Sequence, residues 1–170
     1  LKKIETKKKN NVLKKYISLI KKEKSFILRE NIKDIDFAKK KKLNNNLIDR
    51  LTLDSDKISA IINSIKNIIK LKDPVDNILE KWKRPNGLSI SRVSVPIGVI
   101  GVIYESRPNV TSDVASLCFK SGNAVILKGG SEAINTNRIL AKLFRKALKR
   151  NNINENFVQF IDSKNRKIVD

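Results

Sequence analysis

A short glycine-containing turn carries the side chains best placed to hold a ligand. It reads Lys128, Gly129, Gly130, Ser131 and Glu132, between an apolar stretch and a helical pattern. Glycines let a ligand approach the backbone, the lysine supplies a cation, and a helix N-terminus offers free N–H groups to an anion. These features suit part of a nucleotide. A tight turn with an incidental lysine explains them equally well, because the segment is neither a G-x-G-x-x-G nor a Walker loop.

A second polar segment, residues 104–111, follows an apolar strand pattern. In it, Arg107 could hold a carboxylate or a phosphate, and the Asn109 amide could donate to a developing oxyanion. Asn109 or Thr111 could equally be the N-cap of the next helix, and we expect at least one of them to cap.

Several kinds of chemistry are excluded by composition. The chain has no histidine and a single cysteine, so Ser-His, Cys-His and His-ligated metal sites cannot form within it, and we expect no metal site. Cys118 lies between Leu117 and Phe119 on an apolar helix side that also holds Val114, which predicts a packed, inert thiol.

The charge is strongly positive, with 37 Lys and Arg against 17 Asp and Glu and a net charge of +20. Such a field attracts nucleic acid or an anionic membrane. However, the lysine runs at residues 7–9 and 39–42 are typical of solvated helix faces, and no nucleic-acid reader motif is present. A basic nucleic-acid-binding domain therefore stays an alternative only. No apolar run is long enough to span a bilayer, so we expect a soluble, cytoplasmic protein without a membrane partner.

The first 80 or so residues have a helical pattern. The clearest helix carries an apolar stripe with the i, i+3, i+4, i+7 spacing: Ile58, Ile61, Ile62, Ile65, Ile68 and Ile69. Asp54 or Ser55 is placed to cap this helix, and Pro74 marks its end. We divide the chain into a helical part at residues 1–83, a β segment at 84–96 and an α/β part at 97–170.

The third part alternates strands and helices. Residues 97–104 are almost continuously apolar, which predicts an interior parallel strand covered on both faces. Further elements follow in alternation: helix 110–120, strand 124–127, helix 132–150, strand 157–161, and a helix from Lys164. The order indicates an α/β fold with a doubly wound parallel sheet, in which ligands bind at the carboxyl ends of the strands. Both polar segments lie at such ends.

Two long blocks, residues 95–111 and 121–133, closely resemble the signature of γ-glutamyl phosphate reductases, also called glutamate-5-semialdehyde dehydrogenases. The similarity continues at residues 47–51, 73–75 and 157–159. It implies a Rossmann-like fold of the aldehyde dehydrogenase superfamily. It also implies NADPH-dependent reduction of L-glutamyl 5-phosphate to L-glutamate 5-semialdehyde and phosphate, a step of proline biosynthesis. Another aldehyde dehydrogenase-like enzyme stays the alternative, although the block at 105–111 argues against ordinary aldehyde oxidation.

The resemblance also implies roles for single residues. Lys128 matches a lysine on the ribose side of the NADP cofactor, with Gly129, Gly130, Ser131 and Glu132 beside it. Asn109 resembles the asparagine of the oxyanion hole, and Ser106 and Arg107 are expected to hold the charged groups of the substrate.

No residue matches the family's catalytic cysteine, which lies in a separate C-terminal catalytic domain. We therefore expect the chain to be an N-terminal fragment that cannot complete the reaction alone. The family further implies a homo-oligomer, for which residues 84–96 are the expected hairpin, and an association with glutamate 5-kinase.

Overall fold

A computed structural model describes residues 4–165 of the chain. Its helices and strands follow in this order: α1 Thr6–Lys22, α2 Lys24–Lys40, α3 Asn45–Leu51, α4 Ser55–Lys70, β1 Ile78–Lys83, β2 Ser89–Val93, β3 Val99–Ile103, α5 Pro108–Lys120, β4 Ala124–Lys128, α6 Ile134–Lys149 and β5 Val158–Phe160. Short 3₁₀ turns at Ser131–Ala133 and Glu155–Phe157 precede α6 and β5.

Helix α4 confirms the clearest prediction from periodicity. Its isoleucines are buried at 58, 61, 62, 65 and 68, while Ile69 packs at the margin of the same core. The Asp54 side chain caps the helix by accepting a hydrogen bond from the Lys57 amide at 2.7 Å. A carboxylate at this position satisfies an N–H group that has no partner within the helix.

The helical prediction is wrong for residues 71–80, because α4 ends at Lys70 and strand β1 begins at Ile78. β1 and β2 form an antiparallel hairpin, and a turn at residues 84–87 joins them. Gly87 occupies this turn with a φ of 84°, a conformation that favours glycine. Every residue of β1 is exposed, so the strand shows no buried face that the sequence pattern could reveal.

The second sheet is parallel, in the order β3-β4-β5, and the strand-helix alternation predicted for residues 97–161 is confirmed. The prediction of an interior first strand is wrong within the described residues, since β4 is central and β3 lies at the edge. Only Ile100 and Val102 of β3 pack on the core, whereas Val99 and Ile103 are 63% and 67% exposed. The helix predicted from Lys164 lies mainly at residues 166–170, outside the described residues.

Helices α5 and α6 lie between the parallel sheet and the N-terminal helices. α5 packs on β4 and α6 on β5, and their other sides contact α1, α2 and α4. Aromatic rings fill the centre, where the Phe144 ring lies 4.7 Å from Tyr16 and 5.8 Å from Phe119. This packing fixes the sheet against the helical layer and so sets the positions of the strand ends. None of the helices in residues 4–165 has the length and apolar character that crossing a membrane requires.

Candidate functional site

The two polar segments meet at one edge of the parallel sheet. Ile103 lies opposite Lys128 in the register of β3 and β4, and the Tyr104 amide donates to the Lys128 carbonyl at 3.1 Å. Residues 103–106 and 128–132 therefore line a common cleft of about 590 Å³. Leucines 43, 47 and 51 of the helical layer form its apolar wall, and Lys164 also reaches it. The prediction that both segments share one edge of the sheet is confirmed.

The Glu132 carboxylate is held in this cleft by two serines. Ser106 Oγ donates to Glu132 Oε2 at 2.7 Å, and Ser131 Oγ donates to Oε1 at 2.9 Å. Both carboxylate oxygens thus accept a hydroxyl, one from each polar segment. This bridge gives the carboxylate a defined orientation, and it joins Ser106 of the second polar segment to Ser131 and Glu132 of the glycine turn.

Lys128 is the last residue of β4, and its side chain is only 7% exposed. Its Nζ donates to the Gly129 carbonyl at 3.1 Å, and no carboxylate of residues 4–165 forms an ion pair with it. A buried ammonium with one carbonyl partner keeps two donor positions for other groups, because an ammonium has three donors. It is therefore suited to hold hydroxyl or anionic oxygens of a ligand in the cleft.

Gly129 and Gly130 are required by the packing of the protein itself. A Cβ on Gly129 would lie 2.3 Å from Asn137 Nδ2 and 3.0 Å from two carbons of the Tyr104 ring. A Cβ on Gly130 would lie 2.7 Å from Ser106 Oγ and 2.8 Å from Glu132 Oε2. Close approach of neighbouring side chains, and not only of a ligand, explains why both positions carry glycine.

A buried chain of hydrogen bonds lies behind Gly129. Thr111 Oγ1 donates to Asn137 Oδ1 at 2.8 Å, so the Tyr104 hydroxyl donates in turn to Thr111 Oγ1 at 2.7 Å. Burial raises the pKa of Tyr104 to about 12, which keeps this hydroxyl protonated at neutral pH. Asn137 is fully buried, and its Nδ2 has no hydrogen-bond partner among the described residues. Asn137 could not be recognised from the sequence, because nothing in an amphipathic helix pattern marks one polar residue as structural.

The N-terminus of α6 is occupied by a carboxylate of the protein. Asp34 of α2 accepts from the Asn135 amide at 3.1 Å and from the Thr136 amide at 2.8 Å. The prediction that this helix start offers free N–H groups to a ligand is wrong for these two amides. Burial raises the pKa of Asp34, although four hydrogen bonds from Asn135 and Thr136 act in the opposite direction. Because about a hundred residues separate the partners in sequence, no local pattern could reveal the contact.

Arg107 and Asn109 do not line the cleft. Helix α5 begins at Pro108, a residue that suits the first helical position, and neither Asn109 nor Thr111 caps it, so the capping prediction is wrong. Both Arg107 and Asn109 are exposed, and Asn109 Nδ2 donates to Asp113 Oδ2 at 3.3 Å. Of the residues expected to hold substrate, the structure therefore places only Ser106 beside the glycine turn.

The single cysteine is packed, as predicted. Cys118 is 8% exposed, and burial raises the pKa of its thiol, which disfavours the reactive thiolate. Leu117, which the prediction placed on the same apolar side, is instead 46% exposed. No group of His, Cys, Asp or Glu within residues 4–165 is arranged to hold a metal ion.

Several proteins with high sequence identity to this chain are γ-glutamyl phosphate reductases. The chain is 46% identical to a γ-glutamyl phosphate reductase of Desulforamulus reducens over 167 residues, which is 98% of this chain and 40% of the relative. It is 50% identical to one of a Hydrogenobaculum species over 95% of this chain and 37% of the relative. The chain is a homologue of the γ-glutamyl phosphate reductases. It spans about two fifths of the length of these relatives. No protein-family model matches it.

Solved structures support the same relationship. The γ-glutamyl phosphate reductase of Thermotoga maritima superposes with a TM-score of 0.94 at 41% identity, over 98% of this chain and 40% of that chain. The propionaldehyde dehydrogenase of Rhodopseudomonas palustris, at 13% identity, shares the fold with a TM-score of 0.63, over 98% of this chain and 35% of that chain. The α/β fold of this homologue of γ-glutamyl phosphate reductases is therefore aldehyde dehydrogenase-like, as the sequence predicted.

Proposed function

We propose that the complete protein reduces L-glutamyl 5-phosphate with NADPH, forming L-glutamate 5-semialdehyde and phosphate for proline biosynthesis. The observation that carries this proposal is the similarity to γ-glutamyl phosphate reductases over nearly the whole chain. The position of the cleft supports it, since nucleotides bind at the carboxyl ends of parallel strands in open α/β sheets.

The residues of the cleft fit part of a nicotinamide dinucleotide. A volume of about 590 Å³ lies within the usual range of small-molecule sites. Lys128 Nζ would donate to hydroxyl oxygens of a ribose, and the oriented Glu132 carboxylate would accept from such hydroxyls. Gly129, Gly130 and Ser131 would form the backbone beneath the sugar. When bound, the cofactor supplies the hydride for the reduction.

The substrate side of the site would begin at the start of α5. The exposed Arg107 guanidinium suits a carboxylate or phosphate, and its neighbour in sequence, Ser106, lines the cleft. Asn109 would donate to the carbonyl oxygen as negative charge develops there, and its bond to Asp113 would orient the amide. The family's nucleophilic cysteine would attack the acyl phosphate and release phosphate. Cys118 does not suit that role because it is packed in the core.

We also propose a homo-oligomer that forms through the β1-β2 hairpin. Its apolar side chains are exposed, with Ile78 at 61%, Leu79 at 56%, Trp82 at 42% and Leu88 at 57%. Apolar groups gathered on an exposed hairpin are typical of a surface that a partner covers. A cytoplasmic location and an association with glutamate 5-kinase complete the proposal, and both rest on the family resemblance.

The reaction is tested in the reverse direction on the complete protein. NADP reduction by glutamate 5-semialdehyde is measured with and without inorganic phosphate. It is followed at about 340 nm, where the reduced nicotinamide absorbs. The proposal predicts reduction only when phosphate is present, because phosphate is a substrate of the reverse reaction. Equal rates without phosphate would indicate an ordinary aldehyde dehydrogenase and refute the acyl-phosphate chemistry.

A further inference from the structure

Asp34 is a buried carboxylate that the proposed reaction does not use. Its side chain is 1% exposed, in the middle of α2. Asp34 Oδ1 accepts from the Asn135 amide and from Asn135 Nδ2, at 3.1 and 2.8 Å. Asp34 Oδ2 accepts from the Thr136 amide and from Thr136 Oγ1, at 2.8 and 2.6 Å. Four donors on one carboxylate offset part of the cost of burying its charge.

Asn31, one helical turn earlier in α2, extends this cluster to the other side of the cleft. Its Nδ2 donates to the Leu51 carbonyl at 2.9 Å and to Thr136 Oγ1 at 3.1 Å, and its Oδ1 accepts from the Leu53 amide at 2.8 Å. Leu51 ends α3 and belongs to the apolar wall of the cleft. One buried polar cluster therefore holds both the α3 wall and the start of α6.

The glycine turn is the short connection between two fixed points. It begins at Lys128, the last residue of β4, and it ends at α6, whose first turn is hydrogen-bonded to Asp34. Ala133, at the end of the turn, is fully buried against Ala38 of α2 and Leu51 of α3. A shift of the α6 N-terminus would thus move Ser131 and Glu132, whose side chains face the cleft.

The same contacts restrict how an anion can bind. The second and third amides of α6 already donate to Asp34, and the Ala133 amide donates to the Gly130 carbonyl at 3.3 Å. A second anion at this helix start would also be repelled by the Asp34 charge. These three amides are therefore not available to phosphate oxygens in the cleft, whereas Lys128 Nζ has donor positions left for them.

We propose that Asp34 is a positioning residue of the cleft, which sets the geometry of the turn 128–133 relative to the α3 wall and so sets the affinity for the nucleotide. This inference rests on the proposed function, in which the cleft takes NADP. Asp34 does not touch the ligand and acts through Asn135 and Thr136. Asp34→Asn keeps the size of the side chain, but the new NH₂ group would face one backbone donor and one side-chain donor and could not accept from either.

The test compares Asp34→Asn with Asp73→Asn in the complete protein. Asp73 is a suitable control because it is also a largely buried carboxylate, with donors from Thr6, Lys9 and Val75. It lies just before the hairpin in sequence and does not line the cleft. Both variants lose stabilising hydrogen bonds, so only a positioning role predicts different effects on the KM for NADP.

For Asp34→Asn we expect the KM for NADP to rise about tenfold, with a much smaller change in kcat at saturating NADP, because the turn is displaced while the reacting groups are kept. For Asp73→Asn we expect a lower unfolding temperature and an unchanged KM. An equal, unchanged KM in both variants would overturn the positioning role.

Thr136→Val is the replacement test of the positioning role if the Asp34→Asn variant does not fold. It removes only the hydroxyl contacts to Asp34 and Asn31, and the same direction of KM change is expected at reduced size. An unchanged KM in Thr136→Val would then overturn the role. The wild-type assay separates the positioning role from the proposed function. If the wild type shows phosphate-dependent activity and the variants keep its KM for NADP, only the positioning role is refuted. If the wild type is inactive, the proposed function on which that role rests is refuted.

Discussion

The substitution Gly129→Ala tests whether the protein's own packing requires glycine in the turn. The added Cβ would lie 2.3 Å from Asn137 Nδ2, more than 1 Å inside ordinary van der Waals contact of about 3.5 Å. Asn137 is fully buried and bonded to Thr111, and the Tyr104 ring blocks the other direction at 3.0 Å. Either the turn shifts or Asn137 rotates and loses its hydrogen bond. Overpacking of this kind costs about 1–3 kcal/mol of the free energy of unfolding.

Urea unfolding of the complete protein measures this loss, with Gly101→Ala as the matched control. A Cβ on Gly101 meets no heavy atom of residues 4–165 within 4 Å, so that variant is expected to stay within about 0.5 kcal/mol of the wild type. The double variant Gly129→Ala with Asn137→Ala should recover about 1 kcal/mol relative to the sum of the single variants, because the closest contact is gone. Equal stabilities of the Gly129 and Gly101 variants would refute the reasoning.

Three further predictions concern other parts of the chain. Burial by itself would raise the pKa of Asp73. The opposite effect is larger, because Asp73 accepts hydrogen bonds from Thr6, Lys9 and Val75 and lies beside the Lys9 charge, so its pKa is lower than in the unfolded chain. The stability difference between wild type and Asp73→Asn should therefore be constant at neutral pH and shrink as the pH falls below about 4 in urea titrations; a difference that grows with acid would contradict this. Cys118 should react with a thiol reagent only after unfolding, and rapid labelling of the native protein would contradict its burial. Trp82→Ser should lower the oligomeric mass in light scattering if the hairpin forms the interface, and an unchanged mass would exclude that side chain as an essential contact.

The core elements could be predicted from sequence because their patterns are local. The isoleucine stripe of α4 and its Asp54 cap lie within one segment, so helical periodicity and capping chemistry suffice. The meeting of residues 104–106 with 128–132 also follows from one rule, since parallel strands align their carboxyl ends at one edge.

The missed features depend on contacts that are distant in sequence or on faces that remain uncovered. Asp34 and Asn137 are single polar residues of helices, and their partners are known only once α2, α5 and α6 pack together. Strand β1 carries no buried face, so its short pattern did not separate it from the helices before it. The apolar run of β3 predicted two covered faces, whereas the described residues cover only one.

The most direct test of the site is the dissociation constant of NADPH for the complete protein and for Lys128→Met. Lys142→Met is the control, because Lys142 is an exposed lysine of α6 that does not line the cleft. Loss of charge-assisted hydrogen bonds from Lys128 predicts binding weaker by about 10- to 100-fold, with no change for the control. If the Lys128 variant binds NADPH as tightly as the Lys142 variant does, the cleft is not the cofactor site and the account is wrong.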